Sequence, residues 1–392
     1  MKIPIVKTEF TDKDFKNILK PLKSGWVVQG SFVKEFEDKW CEFTGAKNSV
    51  AVTSCTTALH LSLSAIGASQ NDEIIVPAFT WVATANAVEY LNAKPVLCDI
   101  NLDTFNIDIN SLNKKISGKT KGIIPVHLFG LSADMDAVSG FAEKNNLWII
   151  EDAACGFGTK YKNTHVGNFG NMGCFSFHPR KAITTGEGGM ITTNKSELTV
   201  LLRSLRDHGA TYNDFQKNQK SKPYMLPEFP HLGYNYRMTD IQASIGSSQM
   251  DRAEDILSRR IEIAGLYDKF LSNISWLRIP FKGKNYSHSY QSYVCLFEPE
   301  KIKLENVNKI NKQRNEFMVY LQSNGISTRP GTHSIHLLKY YKDKYKFEPE
   351  DFPNALFADK CSIALPLFPG LKKKELEYIF SKISNYKIKN LR

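Results

Sequence analysis

Between Ser49 and Asp152 the chain alternates short apolar runs with helical ones. "SVAVTS" precedes "TTALHLSLSAIG", and "DEIIVP" precedes "TWVATANAVEYL". "KPVLCD", "KGIIPV" and "LWIIED" follow, with "ADMDAVSGFAEKNN" a helical pattern before the last. Runs this short cannot be helices, and unbroken apolar character marks strands buried on both faces. Such strands separated by helical segments imply an α/β sheet covered by helices on both sides. Near Thr239 the pattern changes to one long helix, "TDIQASIGSSQMDRAEDILSRRIEIAGLYDKFL". "YQSYVCLFE", a helical "VNKINKQRNEFMVYLQSNG" and "ISTRP" come after it. The reading is a large domain over residues 1–250 and a smaller α+β domain over 251–392.

Composition removes several classes of function. No apolar run approaches the roughly 20 residues that cross a bilayer, so no membrane insertion is expected. The start, "MKIPIVKTEFTDKDF", lacks a signal-type apolar core, and the chain is expected to stay in the cytoplasm. The seven cysteines are scattered without a CxxC pair, which argues against a disulfide framework or zinc site. Most should be small buried hydrophobes. The formal charge of +11 is spread along the chain, with modest clusters at "QKNQKSKP" and "KKKELEYIFSKISNYKIKNLR". Neither carries a nucleic-acid motif, so no nucleic-acid partner is expected and local anion binding is the sharper reading.

Ligands of open α/β sheets bind beyond the carboxyl ends of the strands. Three stretches fall there. In "VTSCTTALHL" a strand runs through Ser54 to Thr57 into a helix, either an anion site or an ordinary Ser/Thr cap. "LWIIEDAACGFG" ends a strand with two acids, so one can project into a cleft while the other is solvated; Asp152 can equally be a cap or ion-pair partner. In "FSFHPRKAITTGEGGM" Lys181 stands between a strand and glycines 186, 188 and 189, although a snorkelling surface lysine is the commoner fate. Together the three match what pyridoxal phosphate requires: an amine for its aldehyde, a carboxylate for its ring nitrogen, and helix amides for its phosphate. Trp81, in "PAFTWVATAN", is an aromatic face available at the same sheet edge, or else a core residue.

These motifs, with "SGWVVQG", "LGYNYRMTDIQASIG" and "LPLFPG", occur in an order and spacing that resemble the DegT/DnrJ/EryC1/StrS family. The resemblance covers nearly the whole chain. It implies the aspartate-aminotransferase fold, with a mixed, mostly parallel sheet in the large domain, an N-terminal entrance segment and a smaller α+β domain. It implies that Lys181 holds the cofactor as a Schiff base and then shuttles the proton of the reaction. Asp152 would keep the ring nitrogen protonated, Trp81 would stack on the ring, and Thr56, Thr57 and Ser176 would bind the phosphate. Cys155 occupies a position where many members carry Gln or His near the ring hydroxyl, and a thiol is a weak donor there. Asn235 would reach the phosphate of a neighbouring subunit, making a homodimer with shared active sites. Trp26, Arg329 and His333 are the expected substrate contacts.

The implied activity is transfer of nitrogen from an amino acid, glutamate by expectation, to a keto-sugar of surface polysaccharide biosynthesis. The expected acceptor is a nucleotide-linked 4-keto-6-deoxyhexose, because "FHPRKAITTGEGG" looks like the 4-amino members. Related dehydratases replace the lysine with histidine, so Lys181 argues against them. A non-catalytic regulator would not need Lys181, Asp152, Thr56 and Asn235 together. In "RPGTHSIH", Gly331 and Thr332 stand where many members carry bulk, which leaves a small phosphorylated ketone as the rival acceptor.

Overall fold

The computed structural model describes residues 1–112, 114–212, 224 and 226–388, so the "QKNQKSKP" cluster lies outside the described residues. Seven strands form the central sheet: β1 (Asn48–Val52), β2 (Glu73–Pro77), β3 (Lys94–Cys98), β4 (Thr120–Ile123), β5 (Trp148–Asp152), β6 (Met172–Ser176) and β7 (Gly189–Thr193). Their spatial order is β1-β7-β6-β5-β4-β2-β3. All neighbours are parallel except β7, which runs antiparallel to both β1 and β6. The sheet is therefore mixed and mostly parallel. Its strands are buried nearly throughout, which is why they read as unbroken apolar runs.

The reversed strand organises one edge. β7 starts where β1 and β6 end, with Gly189 opposite both Val52 and Ser176. The segment after β1 enters the helix Cys55–Ala65 there, and Gly189 touches it directly. A Cβ on Gly189 would lie 2.5 Å from the carbonyl carbon and oxygen of Ser54. Only glycine permits that approach. Gly186, at φ +82°, makes the left-handed turn that brings the chain from Lys181 back into β7.

A second, antiparallel sheet of β8 (Leu277–Arg278), β9 (Tyr293–Phe297) and β10 (Ser362–Leu365) packs with the helices Val307–Ser323 and Lys373–Asn385. One apolar cluster joins the two sheets, containing Val50, Ile74 and Ile150 as well as Val294, Leu296 and Ile363. The first residues belong with this second sheet. Ile3 bridges Ile326, and the Ile5 carbonyl accepts from the Leu367 amide.

The single long helix expected after Thr239 is two helices, Asp240–Met250 and Ala253–Leu271. Tertiary ion pairs account for the break. Asp251 binds Lys13 and Lys39, while Arg252 reaches the Asp14 carboxylate and the Glu9 carbonyl. Among the seven cysteines, Cys98, Cys174, Cys295 and Cys361 are buried and all are free thiols. Among the described residues no helix is long and apolar enough to cross a membrane.

Candidate active site

A cleft of about 460 Å³ opens at the edge where β7 meets β1 and β6. Thr56, Trp81, Asp152, Cys155, Ser176, Lys181 and Arg329 all line it. Residues separated by more than 270 positions are thus brought to one wall by the strand order.

Asp152 ends β5 and is 4% exposed. Its Oδ2 accepts the hydroxyl of Thr84 at 2.7 Å, and its Oδ1 accepts the amide of Ala154 at 3.1 Å. Thr84 was not singled out in the sequence, because nothing local in "TWVATAN" links it to an acid 68 positions away.

Its neighbour Glu151 corrects the expectation that one of the two acids is solvated. Pleating turns it to the opposite face of β5, where it is 0% exposed. Its carboxylate accepts the amides of Gly167 (2.7 Å), Phe169 (2.8 Å) and Gly170 (2.8 Å). The fourth contact is His127 Nε2 at 2.9 Å. His127 Nδ1 accepts the Ala133 amide at 3.2 Å, so the ring proton sits on Nε2 and points at Glu151. Glu151 therefore ties the 165–170 loop to the strand that carries Asp152.

The helix Cys55–Ala65 begins with a capping box. The Thr57 amide donates to the Ser54 hydroxyl at 3.1 Å, and the Ser54 amide donates to the Thr57 hydroxyl at 3.0 Å. The Thr57 hydroxyl is thus engaged in the cap, and Thr57 does not line the cleft. The Thr56 hydroxyl lines it and makes no hydrogen bond among the described residues. Across from it the Ser176 hydroxyl accepts only a long contact from the His178 amide, 3.4 Å.

Lys181 Nζ lies 3.2 Å from Cys155 Sγ. His178 also faces the cleft; its Nδ1 accepts the Arg180 amide at 3.2 Å, placing the proton on Nε2. Burial lowers the His178 pKa, with Lys181 and Arg180 adding to the shift and Glu187 opposing it. Trp81 is 53% exposed, and its ring centroid lies 5.7 Å from that of His333 at a 43° tilt.

Three expected contacts lie off the cleft wall. His333 pairs with Thr80 in a short antiparallel ladder and lies against Trp81, without lining the cleft itself. The Trp26 indole donates to the Gln29 carbonyl at 3.2 Å within its own loop. Asn235 is exposed and bridges Asp207, away from its own chain's cleft. Gly331 and Thr332 do line the wall. A Cβ on Gly331 would lie 2.9 Å from the Phe129 ring and the Ser362 hydroxyl, so Phe129 supplies bulk that the glycine lacks. Phe129 itself has a left-handed backbone, φ +59°, with no sequence signal to announce it.

The donor set suits pyridoxal phosphate: an uncommitted hydroxyl at a helix start, an amine, and a buried carboxylate, all facing one cleft. This is the chemistry of a pyridoxal-phosphate enzyme on the aspartate-aminotransferase fold. Comparison with known proteins makes it more specific. The sequence profile of the DegT/DnrJ/EryC1/StrS aminotransferase family matches residues 9–384. The chain is 33% identical over 388 residues to the GDP-perosamine synthase of Escherichia coli O157:H7, covering 98% of each. It is 34% identical over 384 residues to the spore coat polysaccharide biosynthesis protein SpsC of Bacillus subtilis, covering 97% of this chain and 95% of that one. Spr1654 of Streptococcus pneumoniae, solved in its PLP form, superimposes with a TM-score of 0.89 at 28% identity, covering 97% of both chains. The chain belongs to the DegT/DnrJ/EryC1/StrS aminotransferase family, and it is a pyridoxal-phosphate-dependent transaminase.

Glu151→Gln is expected to lower the stability of the cofactor-free protein by about 3 kcal/mol or more. The side-chain amide cannot accept all three backbone amides and the imidazole N–H. Equilibrium urea unfolding checks this, and a loss under about 1 kcal/mol contradicts the role assigned to Glu151.

Proposed function

We propose that the chain aminates C4 of a nucleotide-linked 4-keto-6-deoxyhexose, with glutamate as donor, in the cytoplasm and for surface polysaccharide. The observation that carries the reading is the cleft itself, whose volume of about 460 Å³ exceeds what a three-carbon ketone phosphate needs beside a cofactor. The printed name of one relative, a GDP-perosamine synthase, supports a nucleoside-diphosphate sugar. Phe129 supplies bulk beside Gly331, so the small-ketone alternative loses its main support.

Each residue has a task in that reaction. Pyridoxal phosphate, when bound, supplies an electron sink for the charge that develops on the reacting carbon. Asp152 would keep the ring nitrogen protonated, and the Thr84 hydroxyl orients Asp152. Lys181 holds the cofactor and afterwards carries the proton to and from the substrate carbon on Nζ. Thr56 and Ser176 hold the phosphate with the helix amides. Trp81 covers the ring face, Cys155 sits against the lysine, and Arg329 faces the substrate.

The functional unit is a homodimer with composite sites. Asn235 is exposed, and Leu226, Phe229 and Leu232 near it in the chain are exposed apolar residues of the kind an interface covers. Mixing inactive Lys181→Ala protein with an inactive Asn235→Asp variant should restore activity, since one site of the mixed dimer then carries neither lesion. No restoration despite measured subunit exchange contradicts shared sites.

The acceptor is tested by comparing kcat/KM for a 4-keto-6-deoxyhexose nucleotide and dihydroxyacetone phosphate at equal glutamate. The nucleotide sugar should win, because its remote groups supply binding energy to the transition state. A win for the ketone phosphate by more than about tenfold, roughly 1.4 kcal/mol, rules the assignment out.

A further inference from the structure

One nucleophile in the cleft takes no part in moving the nitrogen or the proton. Cys155 is half-buried and lines the cleft, and Lys181 Nζ donates to its sulfur at 3.2 Å. Burial lowers the pKa of Arg260, to about 10, and also that of Arg329, and for both the Cys155 sulfur opposes the shift. The sulfur therefore sits among cations within reach of small solutes, the setting in which thiols are oxidised first.

Both partners are held by the chain around them. Cys155 sits in the tight turn after β5, where the Gly156 amide donates to the Ala153 carbonyl at 2.7 Å and the Ala154 amide donates to Asp152. On the other side, the three carbonyls before Lys181 are each engaged. His178 accepts the Lys181 amide at 2.8 Å, Pro179 accepts the Thr8 hydroxyl at 3.1 Å, and Arg180 accepts the Gln291 side-chain amide at 3.0 Å. Two fixed backbones leave the flexible lysine stem to close the gap. Cys55 is the rival for the sulfur, since it also lines the cleft. Burial pushes its thiol well above the ordinary range, with Asp152 adding to the shift, so it stays protonated and attacks poorly.

We propose that Cys155 and Lys181 are an oxidation-sensitive pair, which a hydroperoxide joins through a sulfur–nitrogen bond that takes the lysine away from the cofactor. The sulfur attacks the outer oxygen of the peroxide and the O–O bond breaks. Sulfur is oxidised by two electrons to a sulfenic acid, and the peroxide leaves as water or an alcohol carrying the thiol proton. The uncharged Nζ then attacks that sulfur. An S–N bond forms, the S–O bond breaks, and the hydroxide leaves as water with a proton from Nζ. The protein has lost two hydrogens and gained no oxygen. A small thiol reverses the link, first displacing Nζ to give a mixed disulfide, then freeing Cys155 with a second thiol. The S–N bond also keeps the sulfur from going on to sulfinic acid, the irreversible step. A cofactor bonded to Lys181 occupies the nitrogen, so the pair closes only when Nζ is free. That protection rests on Lys181 being the cofactor lysine of the preceding reading; the pairing itself does not.

The full-length protein, stripped of cofactor or loaded with it, is treated with hydrogen peroxide and digested without reductant. Mass spectrometry reads the peptides, and circular dichroism confirms that each sample is folded. The stripped protein should yield the Cys155 and Lys181 peptides joined and lighter by two hydrogens, about 2 Da. It should then take up about tenfold less pyridoxal phosphate, read by absorbance, and recover with dithiothreitol. Cys55→Ser should form the same link. Lys181→Ala should carry Cys155 on to sulfinic acid at a peroxide dose from which the wild type recovers. Cys155 joined to Cys55, or oxidised to sulfinic acid in the stripped wild type with no link to Lys181, overturns the proposal. A link that forms equally in the loaded protein refutes instead the assignment of Lys181 to the cofactor.

Discussion

The contact between Gly189 and the backbone of Ser54 is the constraint around which the active edge is arranged. A strand running against its two neighbours must begin where they end, so its first residue meets the start of the helix Cys55–Ala65. With no side chain at Gly189, the two backbones close to a distance no Cβ could tolerate. The segment from His178 to Gly188 is then forced to loop over the mouth of the sheet, and Lys181 is delivered beside Asp152 and Thr56. A cation before a glycine turn, odd for a surface loop, follows from this geometry.

The two acids at the end of β5 show how one strand separates two electrostatic tasks. Glu151, on one face, accepts three amides and the His127 ring N–H and fixes the neighbouring loop. Asp152, on the other, accepts one hydroxyl and one amide and faces the cleft. A buried carboxylate is costly unless several donors hold it, and each here has its own set. Rigidity on the Glu151 side is what allows the Asp152 side to be placed for chemistry.

Much of this was legible in the sequence wherever the signal is local. Apolar runs of five residues gave the buried strands, and strand ends followed by small, acidic or basic residues pointed to Thr56, Asp152 and Lys181. What escaped depends on distant partners. Thr84 meets Asp152 across 68 positions and Gln291 meets Arg180 across 111, and neither pair leaves a pattern in either segment. The long helix was misread because helix-forming residues continue unbroken through Met250 to Ala253. Ion pairs to Asp14, Lys13 and Lys39 break it there. Thr57 matched the phosphate motif, yet its hydroxyl closes the cap instead. One of the two acids read as solvated because alternation along a strand tells which residues share a face, not what covers that face.

The central claim is that the lysine delivered by the reversed strand is the one that holds the cofactor. Borohydride reduction of the yellow holoenzyme, followed by proteolysis and mass spectrometry of the tagged peptide, tests it directly. The account predicts a single phosphopyridoxyl group on Lys181 of the peptide containing "FSFHPRKAITTGEGG", and none in the Lys181→Ala protein. Recovery of the group on any other lysine would contradict it.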